Sequence, residues 1–243
     1  MSFLGQVASW LTSGSHWSGP NGIPIRLAQH LELTALVVAT AAVVGIGLGI
    51  VLGHSGRGGL AVINLANIGR AVPTLALLIL FVLQFSIGIL PAYLSLVALA
   101  IPPVLTNSYT GVRSVDPQVT QAARAMGMTP RQVVVRVELP IAVPLIMAGL
   151  RTTAVEVVAT ATLAAYVAYG GLGRYIIDGL ATQDQVQLFS GAVLVAALAG
   201  LVDLVFSRVQ RALTSPGLRK PGRFRRWNRG RNWTQSVPVV EAG

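Results

Sequence analysis

From Leu33 to Gly53 the chain carries no charged residue, and four later stretches come close to it. A helix crossing bilayer hydrocarbon needs roughly 20 mainly apolar residues, because its backbone polar groups find no water there and must pair within the segment. The pattern therefore predicts an all-α membrane protein. Candidate spans run from Leu31 to Gly53, about Leu60 to Gln84, about Pro91 to Ser108, about Ile141 to Tyr169 and about Val186 to Phe206. Five spans is the expectation, with a kink at Pro73 in the second, where the proline N–H is missing. Charged residues make up 11% of the chain, against about 25% in soluble domains. With 243 residues and no domain-sized polar stretch, one membrane domain is expected.

Lysine and arginine placement orients the spans, since basic residues accumulate on the cytoplasmic side. Arg57, Arg113, Arg124, Arg131, Arg136 and nine basic residues after position 207 fall on one side; only Arg26 and Arg174 fall on the other. The expected topology is N-terminus out and C-terminus in. Residues 1–30 then form an extracytoplasmic segment. Phe3, Leu4, Val7, Trp10 and Leu11 share one face of a short helix lying in the membrane interface. This stretch has no basic n-region, and Trp10, His16 and Trp17 interrupt it, so it does not read as a signal peptide. Residues 31–210 form the transmembrane domain. Residues 211–243 form a basic cytoplasmic tail that cannot bury a core and is expected to be disordered. The net charge of +10 belongs largely to that tail. Contact with anionic head groups, with Phe224 and Trp227 at the interface, suits it better than nucleic acid.

Between the third and fourth spans, at about 113–140, lies a compact basic island. Asp116-Pro117 predicts a turn and a helix start, with a short helix over Gln118 to Met126. Ala122, Ala123 and Ala125 give it small contacts, and Gly127 ends it by allowing a left-handed backbone. Thr129-Pro130 restarts a helix as N-cap and first position, and Leu139-Pro140 turns the chain into the fourth span. A helix–glycine–helix unit also suits DNA, but one tied to lipid at both ends cannot enter a major groove. A plain solvated loop leaves the Ala-Ala, Gly and Leu-Pro spacing without a reason.

That spacing resembles the coupling loop of ABC-importer permeases. His30-Leu-Glu-Leu-Thr34, Ala71-Val-Pro-Thr-Leu-Ala76, Asn107-Ser-Tyr-Thr-Gly111, Glu138-Leu-Pro140, Met147-Ala-Gly-Leu-Arg-Thr152, Ala159-Thr-Ala-Thr-Leu-Ala164 and Gly170-Gly-Leu-Gly173 extend the likeness. Over about residues 30–205 the chain is similar to permease subunits of osmoprotectant importers, which carry glycine betaine, choline, carnitine or proline. The resemblance implies a five-helix permease core and a second permease subunit, homologous or identical. It also implies two copies of an ATPase subunit and an extracytoplasmic substrate-binding protein. Gln121, Ala122, Ala123, Gly127, Leu139 and Pro140 are the positions it assigns to ATPase coupling. The family motif commonly begins with Glu where this chain has Gln121, a departure that removes the charge for a charged pair there and leaves an amide able to hydrogen-bond.

Asn64, Asn67, Arg70 and Thr74 fall within about a third of a continuous helix at ~100° per residue. They read either as a wall of the translocation route or as polar contacts between helices. On the fourth span Arg151 and Glu156 do not share a face, and Glu156 is a candidate interface contact or conformational lock. Gly170, Gly171 and Gly173 suit a flexible outer gate rather than a phosphate cradle, since no Rossmann unit surrounds them. Tyr166 and Tyr169 before them read as an aromatic belt, or as ring faces for a quaternary ammonium.

Function narrows by exclusion. The chain has no cysteine, its histidines (His16, His30, His54) are scattered, and the spans hold no Ser/His/Asp set or metal-ligand cluster. No G-x-x-x-x-G-K-S/T occurs, so ATP and Mg are expected on a partner ATPase and no cofactor on this chain. The expectation is a non-catalytic permease in the bacterial cell membrane. An ABC permease for another small solute such as an amino acid is the alternative. A stand-alone secondary transporter or channel fits less well, because no internal repeat is visible.

Overall fold

The computed structural model describes residues 2–70, 72–167 and 169–214, without the side chains of residues 60, 65, 66, 69 and 70. The tail beyond residue 214 lies outside the described residues. Helix α1 (Phe3–Thr12) is followed by α2 (Ile23–Ser55), α3 (Gly59–Arg70), α4 (Thr74–Phe85) and α5 (Ile89–Arg113). Then come α6 (Pro117–Ala125), α7 (Pro130–Val133), a π-turn (Val134–Glu138) and α8 (Leu139–Thr160), which runs on as a 3-10 stretch, Ala161–Val167. Helices α9 (Gly173–Ala181) and α10 (Gln185–Leu213) complete the described chain.

Among the described residues, four helical stretches are long and apolar enough to cross a membrane: Ile23–Ser55, Ile89–Arg113, Pro130–Val167 and Gln185–Leu213. The expected single kinked second span is instead two helices of 12 residues each, α3 and α4. Pro73 is extended, with ψ of 130°, and offers no N–H, so it caps α4 rather than bending a continuous rod. The fourth span also differs from expectation. Its helix begins at Pro130, and Leu139-Pro140 makes no turn. A proline removes one backbone hydrogen bond, and the wider π-turn just before Pro140 absorbs that loss while the helix continues.

Helix α5 is the centre of the bundle, packing against α2, α8, α4 and α3. On α2 the close approach is made by Gly45, Gly49 and Gly53, which meet Val104, Ser108 and Val112 of α5 in turn. A Cβ on Gly49 would lie 2.5 Å from the Ser108 Cβ and 2.9 Å from the Leu105 carbonyl oxygen. Small residues one helical turn apart are how membrane helices approach backbone to backbone, where hydrophobic burial gives no preference for protein over lipid. Gly149 on α8 does the same against Asn107 of α5. Around these contacts Leu33, Val37, Leu78, Leu96, Val104 and Val157 form the main buried core.

The N-terminal segment closes one end. Val7 of α1 is buried, Phe3 meets Phe189 edge-on at 5.5 Å, and Trp10 meets Tyr175 at 5.3 Å. Helix α1 is thus fastened to α9 and the start of α10, while Leu4 stays exposed.

Candidate functional site

At one end of the bundle the island folds as a capped helix, a glycine turn and a second capped helix. The Asp116 carboxylate accepts the Gln118 N–H at 2.8 Å, and Pro117 takes the first helical position, where no N–H is needed. Gly127 has φ of +84°, with Met128 N–H bonded back to the Ala123 carbonyl at 3.2 Å. Thr129 and Gln132 then form a reciprocal capping box.

The six sequence-assigned coupling residues separate into two groups. Gln121, Ala122, Gly127 and Pro140 are exposed, whereas Ala123 is 3% exposed and Leu139 packs on the Val112, Ala142 and Ile146 cluster. Ala123 and Leu139 therefore hold the segment to its own chain, and the outward surface is extended instead by Val119 and by Met126, which is 74% exposed. Beneath the segment His54 Nδ1 lies 2.8 and 3.0 Å from the two carboxylate oxygens of Glu138. Neither residue has a role of its own in the sequence: His54 is one of three scattered histidines, and Glu138 enters only as the first residue of the Glu138-Leu-Pro140 motif.

The polar face expected along the second span does not stay together. Asn64 and Asn67 are exposed on α3, but Thr74 belongs to α4, and the break at Pro73 resets the helical phase between them. Thr74 faces a void of about 10 Å³ shared with Ser95 and Thr160. The Arg70 side chain lies outside the described residues.

On α8, Arg151 makes a two-pronged contact with Asp203 of α10, Nε to Oδ1 at 2.6 Å and Nη2 to Oδ2 at 2.7 Å. Counted from the ends of their helices, Arg151 is about 18 Å beyond Leu139 and Asp203 about 15 Å before Leu213. With Ala148, Thr152, Val155 and Gln210 the pair lines a cavity of about 370 Å³. Glu156, half-buried, stands five residues further along α8, on a different face from Arg151.

At the opposite end of the bundle, the glycine run is a packed corner. The Gly171 N–H donates to Gln29 Oε1 at 2.9 Å, and the Tyr169 hydroxyl donates to the Gln29 carbonyl at 3.2 Å. A Cβ on Gly173 would collide with the Thr162 carbonyl, and one on Gly170 with the Gln29 side chain. Only Gly171, at φ of +90°, uses the conformational freedom of glycine. His30 is buried, and its Nε2 lies 2.9 Å from the Val158 carbonyl oxygen. Tyr175 donates to the Asn21 carbonyl at 2.7 Å. Burial, with the Glu32 charge adding to it, pushes the Tyr169 phenol above its ordinary value; burial raises that of Tyr175 against the opposing charge of Arg26. Both phenols therefore stay protonated and keep donating. Tyr166 remains 53% exposed. Gln29 joins the two elements and carried no sequence signal beyond being polar next to an apolar run.

Residues 45–220 match the family described as binding-protein-dependent transport system inner membrane component. Among curated proteins, the choline transport system permease protein OpuBB of Bacillus subtilis is 36% identical over 79% of this chain and 88% of its own length. The glycine betaine/carnitine/choline transport system permease protein OpuCB of the same organism is 35% identical over 79% and 89%. The carnitine transport permease protein OpuCB of Listeria monocytogenes is 36% identical over 81% and 90%. Among solved structures, inward-facing MetNI methionine ABC transporter matches with a TM-score of 0.68 and 25% identity, over 77% of this chain and 94% of that one.

Proposed function

The chain belongs to the binding-protein-dependent transport system inner membrane components, and from that premise we propose that it is the permease through which an ATP-driven importer passes small osmoprotectants. The observation that best supports the reading is the capped helix–glycine–helix unit that joins α5 to the long helical stretch from Pro130, with Gln121, Ala122 and Met126 exposed at one end of the bundle. The chain is a multi-pass protein of the bacterial inner membrane. It carries no ATP-binding motif, so hydrolysis, with its ATP and Mg, belongs to a partner ATPase in two copies. A second permease subunit and an extracytoplasmic binding protein complete the assembly. The ATPase contact is made by Gln121, Ala122, Gly127 and Met126, with the exposed Pro140 at its edge and Ala123 and Leu139 setting the segment's position. ATPase closure moves that segment and rocks the permease pair between inward- and outward-facing states.

The solute is a compact zwitterion or quaternary ammonium, such as glycine betaine, choline, carnitine or proline. Its route runs beside Asn64, Asn67, Arg70, Thr74 and Glu156. At the outer mouth the Tyr166 and Tyr169 rings, the latter within range of the Glu32 charge, suit a quaternary ammonium through cation–π attraction. Gly170, Gly171 and Gly173 form the corner on which that mouth turns.

The deciding experiment is reconstitution with the ATPase and binding protein, followed by uptake of labelled glycine betaine, choline, carnitine and proline. ATP-dependent uptake of at least one is expected. Uptake of methionine alone would keep the permease and remove the osmoprotectant assignment.

Orientation has its own test in this cysteine-free chain. Single cysteines replacing exposed Ser18 or Thr182 should react with an impermeant maleimide in intact cells, and those replacing exposed Arg57 or Met126 should not. Labelling at position 126 from outside would end the coupling reading.

A further inference from the structure

Resting on the importer reading, we propose that His54 and Glu138 form a positioning pair that ties the first span to the coupling segment, so that movement of the docked segment is passed to α2 as well as α8. Glu138 is only 5% exposed, and a carboxylate removed from water persists when its oxygens find donors. His54 Nδ1 stands within hydrogen-bond distance of both. The two residues are 84 positions apart, so no local geometry brings them together.

The places they occupy give the contact its meaning. His54 lies in the last turn of α2, just before Gly56 ends the helix in a left-handed conformation at φ of +67°. Glu138 closes the π-turn and is the last residue before α8. Through that turn and α7 it is continuous with the Thr129 cap and the Gly127 turn. A polar cavity of about 150 Å³ opens on the pair and is also lined by Arg113 at the end of α5 and by Pro117, Thr120 and Arg124 of α6. The ends of α2 and α5, the start of α8 and the coupling helix thus converge on one point. Along its length α2 is already packed against α5 through Gly45, Gly49 and Gly53. A pull on Glu138 therefore reaches α8 through the backbone, and α2 with its partner α5 through His54. Without the bond, the segment moves α8 while α2 lags.

A contact that merely held the fold would alter yield and thermal stability. A positioning contact alters how much solute moves for each ATP hydrolysed. The test measures that ratio in vesicles containing the full complex, with binding protein present, for His54→Ala, Glu138→Ala and the double variant. Each single change is expected to lower the ratio about tenfold, the scale of one lost hydrogen bond to a charged group. The double variant should be no worse than either single one, as for residues acting as a unit. His54→Asn, whose side-chain amide can donate in place of Nδ1, should recover most of the loss, with ATPase co-purification unchanged throughout.

Wild-type ratios in an assembled alanine variant, or losses that multiply in the double variant, would overturn the pair. Should the alanine variants fail to reach the membrane, His54→Phe keeps the ring's volume and removes the bond. The same loss is then expected, and a normal ratio overturns the proposal. The unmodified complex separates the two ideas. Absence of ATP-driven uptake there removes the importer reading and the pair's role with it, whereas normal uptake with indifferent variants removes the pair alone.

Discussion

Gly49→Leu is expected to lower the thermal midpoint of the bundle steeply, while Gly47→Leu, on the same helix, is expected to leave it unchanged or slightly higher. Both changes put the same apolar side chain into the same apolar span, so lipid solubility does not distinguish them. A Cβ at Gly47 meets nothing within 4 Å, whereas one at Gly49 lies 2.5 Å from the Ser108 Cβ and 2.9 Å from both the Leu105 carbonyl oxygen and the Tyr109 nitrogen. Overpacking typically costs about 1–3 kcal/mol when side chains can rotate away. Here two of the obstructing atoms are backbone, so α2 and α5 must separate along their longest contact. Gly47→Leu should be neutral or gain up to about 1 kcal/mol, because glycine is a poor helix former. Thermal unfolding of the detergent-solubilised protein reads both. Equal midpoints for the two variants would sink the account of the α2–α5 seam.

The repeat of four in Gly45, Gly49 and Gly53 suits a helix seam, but Gly47 in the same run masks it, and the sequence alone does not single it out. The long spans were legible because lipid tolerates so few charges that charge-free runs mark them. What the sequence concealed lies where one residue type has two uses. Pro73 breaks the second span into α3 and α4, while Pro140 sits inside a continuous helix, because the π-turn before it adapts. A linear pattern does not separate those outcomes. Pairings were harder still. Arg151 with Asp203 and His54 with Glu138 join residues 52 and 84 positions apart, so no local spacing brings either pair together. The island was legible in its helix–glycine–helix form, since caps are local chemistry, but not in its facing. Ala122 and Ala123 read alike in sequence, and only packing turns Ala123 inward.

That facing shapes the second large effect, Gly127→Val, which is expected to leave the protein in the membrane and to disconnect it from its ATPase. Gly127 has φ of +84°, and a Cβ there would meet nothing within 4 Å, so the substitution introduces no clash. Its whole cost is backbone conformation. A left-handed residue costs an L-amino acid about 1–2 kcal/mol, which is a factor of roughly 5–30 against the native turn. A β-branched side chain is a worse occupant still. Leaving the left-handed region breaks the Met128 N–H bond to Ala123 and re-aims α7 relative to α6, so Gln121, Ala122 and Met126 no longer present one surface. The strain argument fixes an order that a steric one does not. Gly127→Asn should retain most ATPase association, because asparagine tolerates this conformation; Gly127→Ala should retain less, and Gly127→Val least. Co-purification of the ATPase from solubilised membranes measures the series, with total permease in the membrane as the control. Full ATP-driven uptake by the valine variant, or an order that follows side-chain size with asparagine worse than alanine, would place the grip somewhere other than this turn.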